Sequence, residues 1–297
     1  MEQTDHRLAV SVTEESGPVL VPGTEAWTMQ WPESGRSYRI MAAVPSGEAP
    51  PEGYPIIYLL DADSCFAMAV ETLRLMTRKP HGYDPAILIG IGYPAGMEAS
   101  KERFLDYTTP AEEAMLPNRG DGSPWPEIGG ADPFLDFITG GLQPLVASRY
   151  PVNTRRQSLF GHSLGGFLAL HALFTRRGAF AAYVAGSPSI WWADRVLLQE
   201  EEVFRQQAEE RAAGGEGSVP PIQLLIGIGE LEKGHRSRMW ENAEEMAERL
   251  ISRPPAGLAT TFGRFEGDGH VSVIPALIAK GIRVVLSTSH DERGRII

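Results

Sequence analysis

Two almost uninterrupted apolar runs constrain this chain more than any other feature: Ile56-Ile57-Tyr58-Leu59-Leu60 and Ala86-Ile87-Leu88-Ile89-Gly90-Ile91. A strand with one wet face alternates apolar and polar residues, whereas a run of this kind belongs to a strand covered on both faces, as in a parallel sheet. Residues Phe66 to Met76, between the two runs, carry helical spacing, which makes the segment a βαβ crossover. The alternation resumes with Ser158-Leu159-Phe160, an apolar helix from Phe167 to Phe174, and a strand at Ala181 to Ala185. A charged helix spans Val196 to Arg211, and a buried strand spans Ile222 to Ile228. An amphipathic helix from Met239 to Ile251 leads to a last strand, Thr260 to Phe265, and a closing helix. Ahead of all this, Trp27-Met29-Trp31 and Tyr38 to Val44 alternate between turn residues up to Pro45, which reads as an antiparallel β region. The expectation is one α/β domain over residues 1–297, a mostly parallel doubly wound sheet with antiparallel N-terminal strands. Such sheets carry their sites at the carboxyl ends of the strands.

Composition narrows the classes. At 42% hydrophobic residues the 297-residue chain can bury a full core, which excludes a disordered or stapled mini-scaffold. Twenty-seven basic against 38 acidic residues give a net charge of -11, which argues against nucleic acid and anionic membranes as partners. The single cysteine, Cys65, excludes an internal disulfide and a Cys-rich zinc site, and reads as a packed small residue. No apolar run reaches the roughly 18 residues of a membrane span. The opening MEQTDHRLAVSV lacks a secretory layout, so the expected location is cytoplasmic, or periplasmic if a leader was removed. Residues 116–133 hold several Gly- and Pro-rich turns and little periodicity; they read as a solvated loop or a lid over a site.

The chemistry concentrates in Gly161-His162-Ser163-Leu164-Gly165, which fits G-x-S-x-G between a strand and a helix. Glycines there permit a strained turn that presents the Ser163 hydroxyl above the sheet as a nucleophile, and Gly166 lets the helix approach the strand. A serine hydroxyl needs a base near neutral pH. Of seven histidines, His270 stands in the turn after the last strand, where the chain order Ser, acid, His places the base. His162 adjoins the serine but is expected to point away, His171 lies two helical turns on, His235 follows the strand expected to offer the acid, and His290 is in the polar tail. The orienting acid is Glu230 or Glu232, both directly after the strand ending at Gly229, with Asp268 too close to His270 in sequence; a Ser-His dyad without an acid is the third reading. The oxyanion would be held by the Leu164 amide and by a second amide, Asp63 or Ala62, in the turn after Leu60. Asp61 and Asp63 as a metal pair lack an accompanying His or Glu cluster. No metal and no cofactor is expected.

Several ordered blocks together make the chain resemble the esterase D family of α/β-hydrolases, in particular its siderophore esterase branch. They are Tyr54 to Asp61, Ile89 to Pro94, Arg103 to Thr108, Gly161 to Gly166, Ser187 to Trp192, Gly229 to Glu232, and Gly269-His270. The resemblance implies an α/β-hydrolase fold and a serine hydrolase of carboxylic esters, acting on enterobactin- or salmochelin-type siderophore esters to release iron. General acyl esterase, thioesterase of the S-formylglutathione hydrolase type, and catalytically silent ligand binder are the alternatives. Family sequences often place the acid three residues after the strand-ending glycine, which favours Glu232 over Glu230. Resemblance also implies Arg103 at the pocket rim, against an ion pair with Asp106 or Glu102, and Trp191 and Trp192 as walls of the acyl pocket, one of them packing in the core. Arg236 and Arg238 would extend a basic rim. The family often has Gly where this chain has Ala62, so the turn must use a conformation alanine tolerates. The partner is a small-molecule ester; oligomeric state is not legible.

Overall fold

The computed structural model describes residues 20–287 except 81, 118, 120, 121 and 215–220; His6, His81 and His290 lie outside the described residues. Both apolar runs are central strands, β3 (Tyr54–Leu59) and β4 (Ile87–Gly92), with every residue buried. The antiparallel pair at the start is β1 (Thr24–Trp31) and β2 (Arg36–Ala43), and β2 runs antiparallel to β4. Four further strands, β5 (Val152–His162), β6 (Ala182–Gly186), β7 (Ile222–Gly229) and β8 (Leu258–Phe265), are parallel to β3. The eight strands form one sheet in the order β1-β2-β4-β3-β5-β6-β7-β8. The chain turns outward from β3 to β4 and later returns to the other side of β3 with β5, so the switch point lies between β3 and β5.

Helices cover both faces. On one face α1 (Ala62–Met76) and the closing helix, residues Ile274–Leu286, pack together with Phe66, Val70, Leu277 and Ile282 in the core. On the other lie α2 (Ala99–Tyr107), α3 (Ala131–Asp136), a π-helical turn (Phe137–Leu142), α4 (Gln143–Arg149), α5 (Leu164–Thr175), α6 (Leu197–Ala213) and α7 (Met239–Ser252); the closing helix is α8. Helix α5 is apolar on every side except at His171 because it is enclosed all round, with every residue from Leu164 to Phe174 buried.

Three segments depart from the sequence expectation. Helix α1 starts four residues before the apolar spacing does, because Asp61 takes a left-handed conformation (φ 52°) and the polar first turn Asp63-Ser64 follows immediately. Helix α2 escapes hydrophobic periodicity because its anchor is polar: buried Asp106 accepts from Tyr93 Oη at 3.0 Å, Tyr38 Oη at 3.2 Å and Arg36 Nη2 at 3.1 Å. Burial raises the Asp106 carboxyl to about 6 against the pull of Arg36. The 116–133 loop is shorter than expected, since α3 begins at Ala131 and turns Phe134, Leu135 and Phe137 into the core.

One buried charge ties α5 to its neighbours. His171 Nδ1 lies 2.9 Å from Glu200, and its Nε2 lies 3.6 Å from Asp132. Burial opposes the imidazolium, but the two carboxylates outweigh it and raise His171 to about 9. A folded pKa above the ordinary 6.5 gives stability that is complete below pH 6.5 and is lost as pH rises toward 9. We therefore expect the melting temperature to fall by about 5 °C more in the native protein than in His171→Gln between pH 6.5 and 9. Parallel melting curves for the two proteins would refute the charged His171.

Candidate active site

Strand β5 delivers Ser163 at the centre of the sheet, at its carboxyl end. Ser163 sits at φ 60°, ψ −116°, a region costly for a residue with a side chain. Its amide donates to Gly186 O at 2.8 Å, and its carbonyl accepts from the amides of Phe167 at 2.9 Å and Ser189 at 3.1 Å. Two glycines make the turn possible. A Cβ on Gly161 would stand 2.0 Å from Gly165 O, and one on Gly166 would stand 2.6 Å from Gly186 O in β6. The motif is thus a steric requirement of the turn: helix α5 begins almost on top of the strand that feeds it.

His270 follows β8 by a short turn, and its Nε2 lies 3.1 Å from Ser163 Oγ. Its Nδ1 lies 2.7 Å from Glu232 Oε2. Glu232 ends the 3-10 turn that follows β7 and is 4% exposed. Its other oxygen, Oε1, accepts from Ser187 Oγ at 2.6 Å and from the Gly229 amide at 3.1 Å. Burial pushes the Glu232 carboxyl up, but the bonds to His270 and Ser187 outweigh it and hold the group below its ordinary value. Glu230 turns elsewhere: its Oε2 accepts from the Gly267 amide at 3.2 Å, and Lys233 Nζ stands 3.6 Å from Oε1. Asp268 accepts from Ser272 Oγ. His162 does not point away as expected. Its ring packs 4.7 Å from the His270 ring, and burial, reinforced by His270, lowers it to about 3, so it is neutral.

The turn after β3 completes this end of the sheet. Residue Asp61 carries the left-handed conformation, and Ala62 is already the first residue of α1, so alanine replaces glycine without strain. Ser64 N–H bonds back to Asp61 O, leaving the amides of Ala62 and Asp63 in the first helical turn, where N–H groups have no intrahelical acceptor. The Asp63 carboxylate is occupied, accepting from the Tyr93 amide at 2.7 Å. Arg103 is not at the pocket rim, nor is it paired with Asp106 or Glu102, which bind Arg36. It grips Asp61 with two bonds, Nε to Oδ1 at 2.8 Å and Nη2 to Oδ2 at 3.0 Å, and reaches His162 O at 3.3 Å. The guanidinium thereby ties the turn after β3 to the end of β5, across the switch point.

A cleft of about 1110 Å³ opens above Ser163 and His270. Phe104, Trp125 and Trp191 make its aromatic wall, and His235, Arg236 and Arg238 stand across the lining. Trp192 does not wall it: the side chain is fully buried, its indole N–H donating to Thr109 O at 3.0 Å. Residues Leu116, Pro117, Arg119 and Trp125 bring the Gly- and Pro-rich loop over the cleft.

Residues 32–253 match the family model described as "Putative esterase". The chain belongs to this esterase family. It is 40% identical over 273 residues to the ferri-bacillibactin esterase BesA of Bacillus subtilis (strain 168), covering 91% of this chain and 92% of that one. The siderophore enterobactin esterase of Emericella nidulans is 34% identical over 244 residues, 76% of this chain and 77% of that protein. Among solved structures, the BES protein from Bacillus cereus matches with a TM-score of 0.82 at 34% identity, over 93% of this chain and 100% of that one. The architecture is that of the α/β-hydrolases.

In this esterase, sequence reasoning missed three residues at the site. Ser187 and His162 stand inside recognised blocks without a role, and Trp125 lies in the loop read as a solvated loop or a lid. The one available signal was position, since Ser187 directly follows a strand end on the side of the sheet where Ser163 stands. Cys65 lies on α1 with its sulfur toward Leu60 O and Asp61 O, and burial pushes the thiol up to about 12, so it stays protonated. Among the described residues, no helix is long and apolar enough to cross a membrane.

Proposed function

We propose that this esterase cleaves the ester bonds of a siderophore, with Ser163 as nucleophile, His270 as its base and Glu232 orienting the imidazole. The observation that carries the reading is the chain of contacts Ser163 Oγ, His270 and Glu232, at 3.1 Å and 2.7 Å, on the floor of an open cleft. As Ser163 Oγ bonds to the ester carbonyl carbon, its proton passes to His270 Nε2, and Glu232 balances the imidazolium. The carbonyl oxygen becomes an oxyanion facing the Leu164 amide and an amide of Ala62 or Asp63. Collapse breaks the bond to the alcohol, which leaves with the proton from His270. Water then attacks the acyl-enzyme by the same route, releasing the acid and restoring Ser163.

Support for the substrate comes from the relatives, named as a ferri-bacillibactin esterase and a siderophore enterobactin esterase, and from a cleft lined by both aromatic rings and arginines. Ferric catecholates are anionic and the chain carries a net charge of -11, so the local cations must outweigh the global field. Ferric and iron-free trilactone siderophores, p-nitrophenyl esters and a matched thioester should be assayed together, with products identified by mass spectrometry. Hydroxy-acid fragments from the siderophores are expected; turnover of short acyl esters or the thioester alone would replace this reading by a general esterase or thioesterase. In the double variant Arg236→Ala/Arg238→Ala, KM for the ferric catecholate should rise several-fold at low salt, while KM for neutral p-nitrophenyl acetate stays level. The difference should shrink as ionic strength rises. A salt-independent change would remove the electrostatic role.

A further inference from the structure

One buried hydroxyl at the site takes no part in the acyl-transfer steps. Ser187 directly follows β6, is 0% exposed, and holds φ at 38°, where a residue with a side chain is strained. Its amide is fixed to Gly227 O of β7 at 2.7 Å, so the residue is anchored to the same strand that ends at the acid. From there its Oγ lies 2.6 Å from Glu232 Oε1, a short, charge-assisted bond in a place water does not reach. The two oxygens of Glu232 are thus divided: Oε2 faces His270, while Oε1 is pinned by the Ser187 hydroxyl and the Gly229 amide. A carboxylate at the tip of a one-turn 3-10 segment would otherwise rotate about its side-chain bonds, and the imidazole would follow it.

We propose that Ser187 is a positioning residue, whose hydroxyl locks the Glu232 carboxylate in the orientation that holds His270 toward Ser163. The strained backbone is the cost of presenting Oγ from a strand end at this angle. The inference rests on the reading of Ser163, His270 and Glu232 as a triad, and it adds a fourth link, from the nucleophile through base and acid to the end of β6. Losing the hydroxyl also removes one of the bonds that hold the Glu232 carboxyl below its ordinary value, so Glu232 takes up its proton at a higher pH.

The test uses Ser187→Ala, which removes the hydroxyl and keeps the strain, and Ser187→Gly, which removes both. Each is measured alone and with Glu232→Ala, by the pH dependence of kcat and KM on p-nitrophenyl butyrate, with melting temperature as the check on folding. Both single variants should lose about tenfold in kcat with KM unchanged. In both, the acid limb of the profile should move to higher pH, and neither should add any loss in the Glu232→Ala background. Native kcat in Ser187→Gly would show that only backbone strain matters and would overturn the proposal, as would native profiles in both variants. A loss that persists undiminished beside Glu232→Ala would overturn it too, because Ser187 would then act independently of the acid. Full activity in Glu232→Ala alone would instead overturn the triad reading, and the proposal with it.

Discussion

Replacing Ser163 with alanine should lower kcat on p-nitrophenyl esters by about 10⁴- to 10⁶-fold and leave the fold intact. The variant keeps the cleft, the Leu164 amide and the first turn of α1, so substrate still binds and the oxyanion donors remain. What disappears, under the proposed mechanism, is the oxygen that would form the covalent bond to the acyl group. Folding should survive because the turn at position 163 is held by backbone bonds, to Gly186 O and from Phe167 and Ser189, none of which involves the hydroxyl. A fluorophosphonate should label the native protein once and the variant not at all. Retained turnover would refute the covalent mechanism, and an unlabelled native protein without turnover would identify a silent, ligand-binding member of the family.

The second large effect separates two neighbouring glutamates. Glu232→Ala should cost about 10⁴-fold in kcat, as losing the acid leaves the His270 imidazole free to adopt the wrong tautomer and orientation. Glu230→Ala should stay within about twofold of native activity, because its carboxylate meets the Gly267 amide and Lys233 and is turned away from the imidazole. Equal and small losses in both variants would mean that a Ser-His pair suffices. A large loss in Glu230→Ala alone would reverse the assignment. Melting curves on both variants keep the comparison honest, since Glu232 is buried and Glu230 is not.

Much of the fold was legible because it is written in local patterns. Continuous apolar runs identify strands covered on both faces, and the alternating N-terminal segments identify the antiparallel pair. Helix α2 stayed hidden because its anchors are not apolar. Helix α2 is held by buried Asp106 and by Arg103, and no hydrophobic period registers either. The loop over the cleft resisted reading for the related reason that the rings its Trp125 meets are far away in sequence: Phe104 and Trp191 are 21 and 66 positions away.

Sequence alone determined the sheet and the G-x-S-x-G turn and pointed to the candidate base, because each is a short-range steric or periodic demand. Gly161 and Gly166 are required by backbone atoms within a few ångströms, and the serine between them can stand in few other places. Tertiary structure alone decided the contacts that depend on side-chain direction. It brought Glu232, not a neighbour two residues away, to His270, moved Arg103 from the rim to the Asp61 turn, buried Trp192 while leaving Trp191 in the cleft, and set Ser187 against Glu232. Adjacent residues on a short turn point in opposite directions, and which of them meets His270 depends on β7 and β8 lying side by side. That pairing joins segments more than thirty residues apart, a distance over which no local pattern carries information.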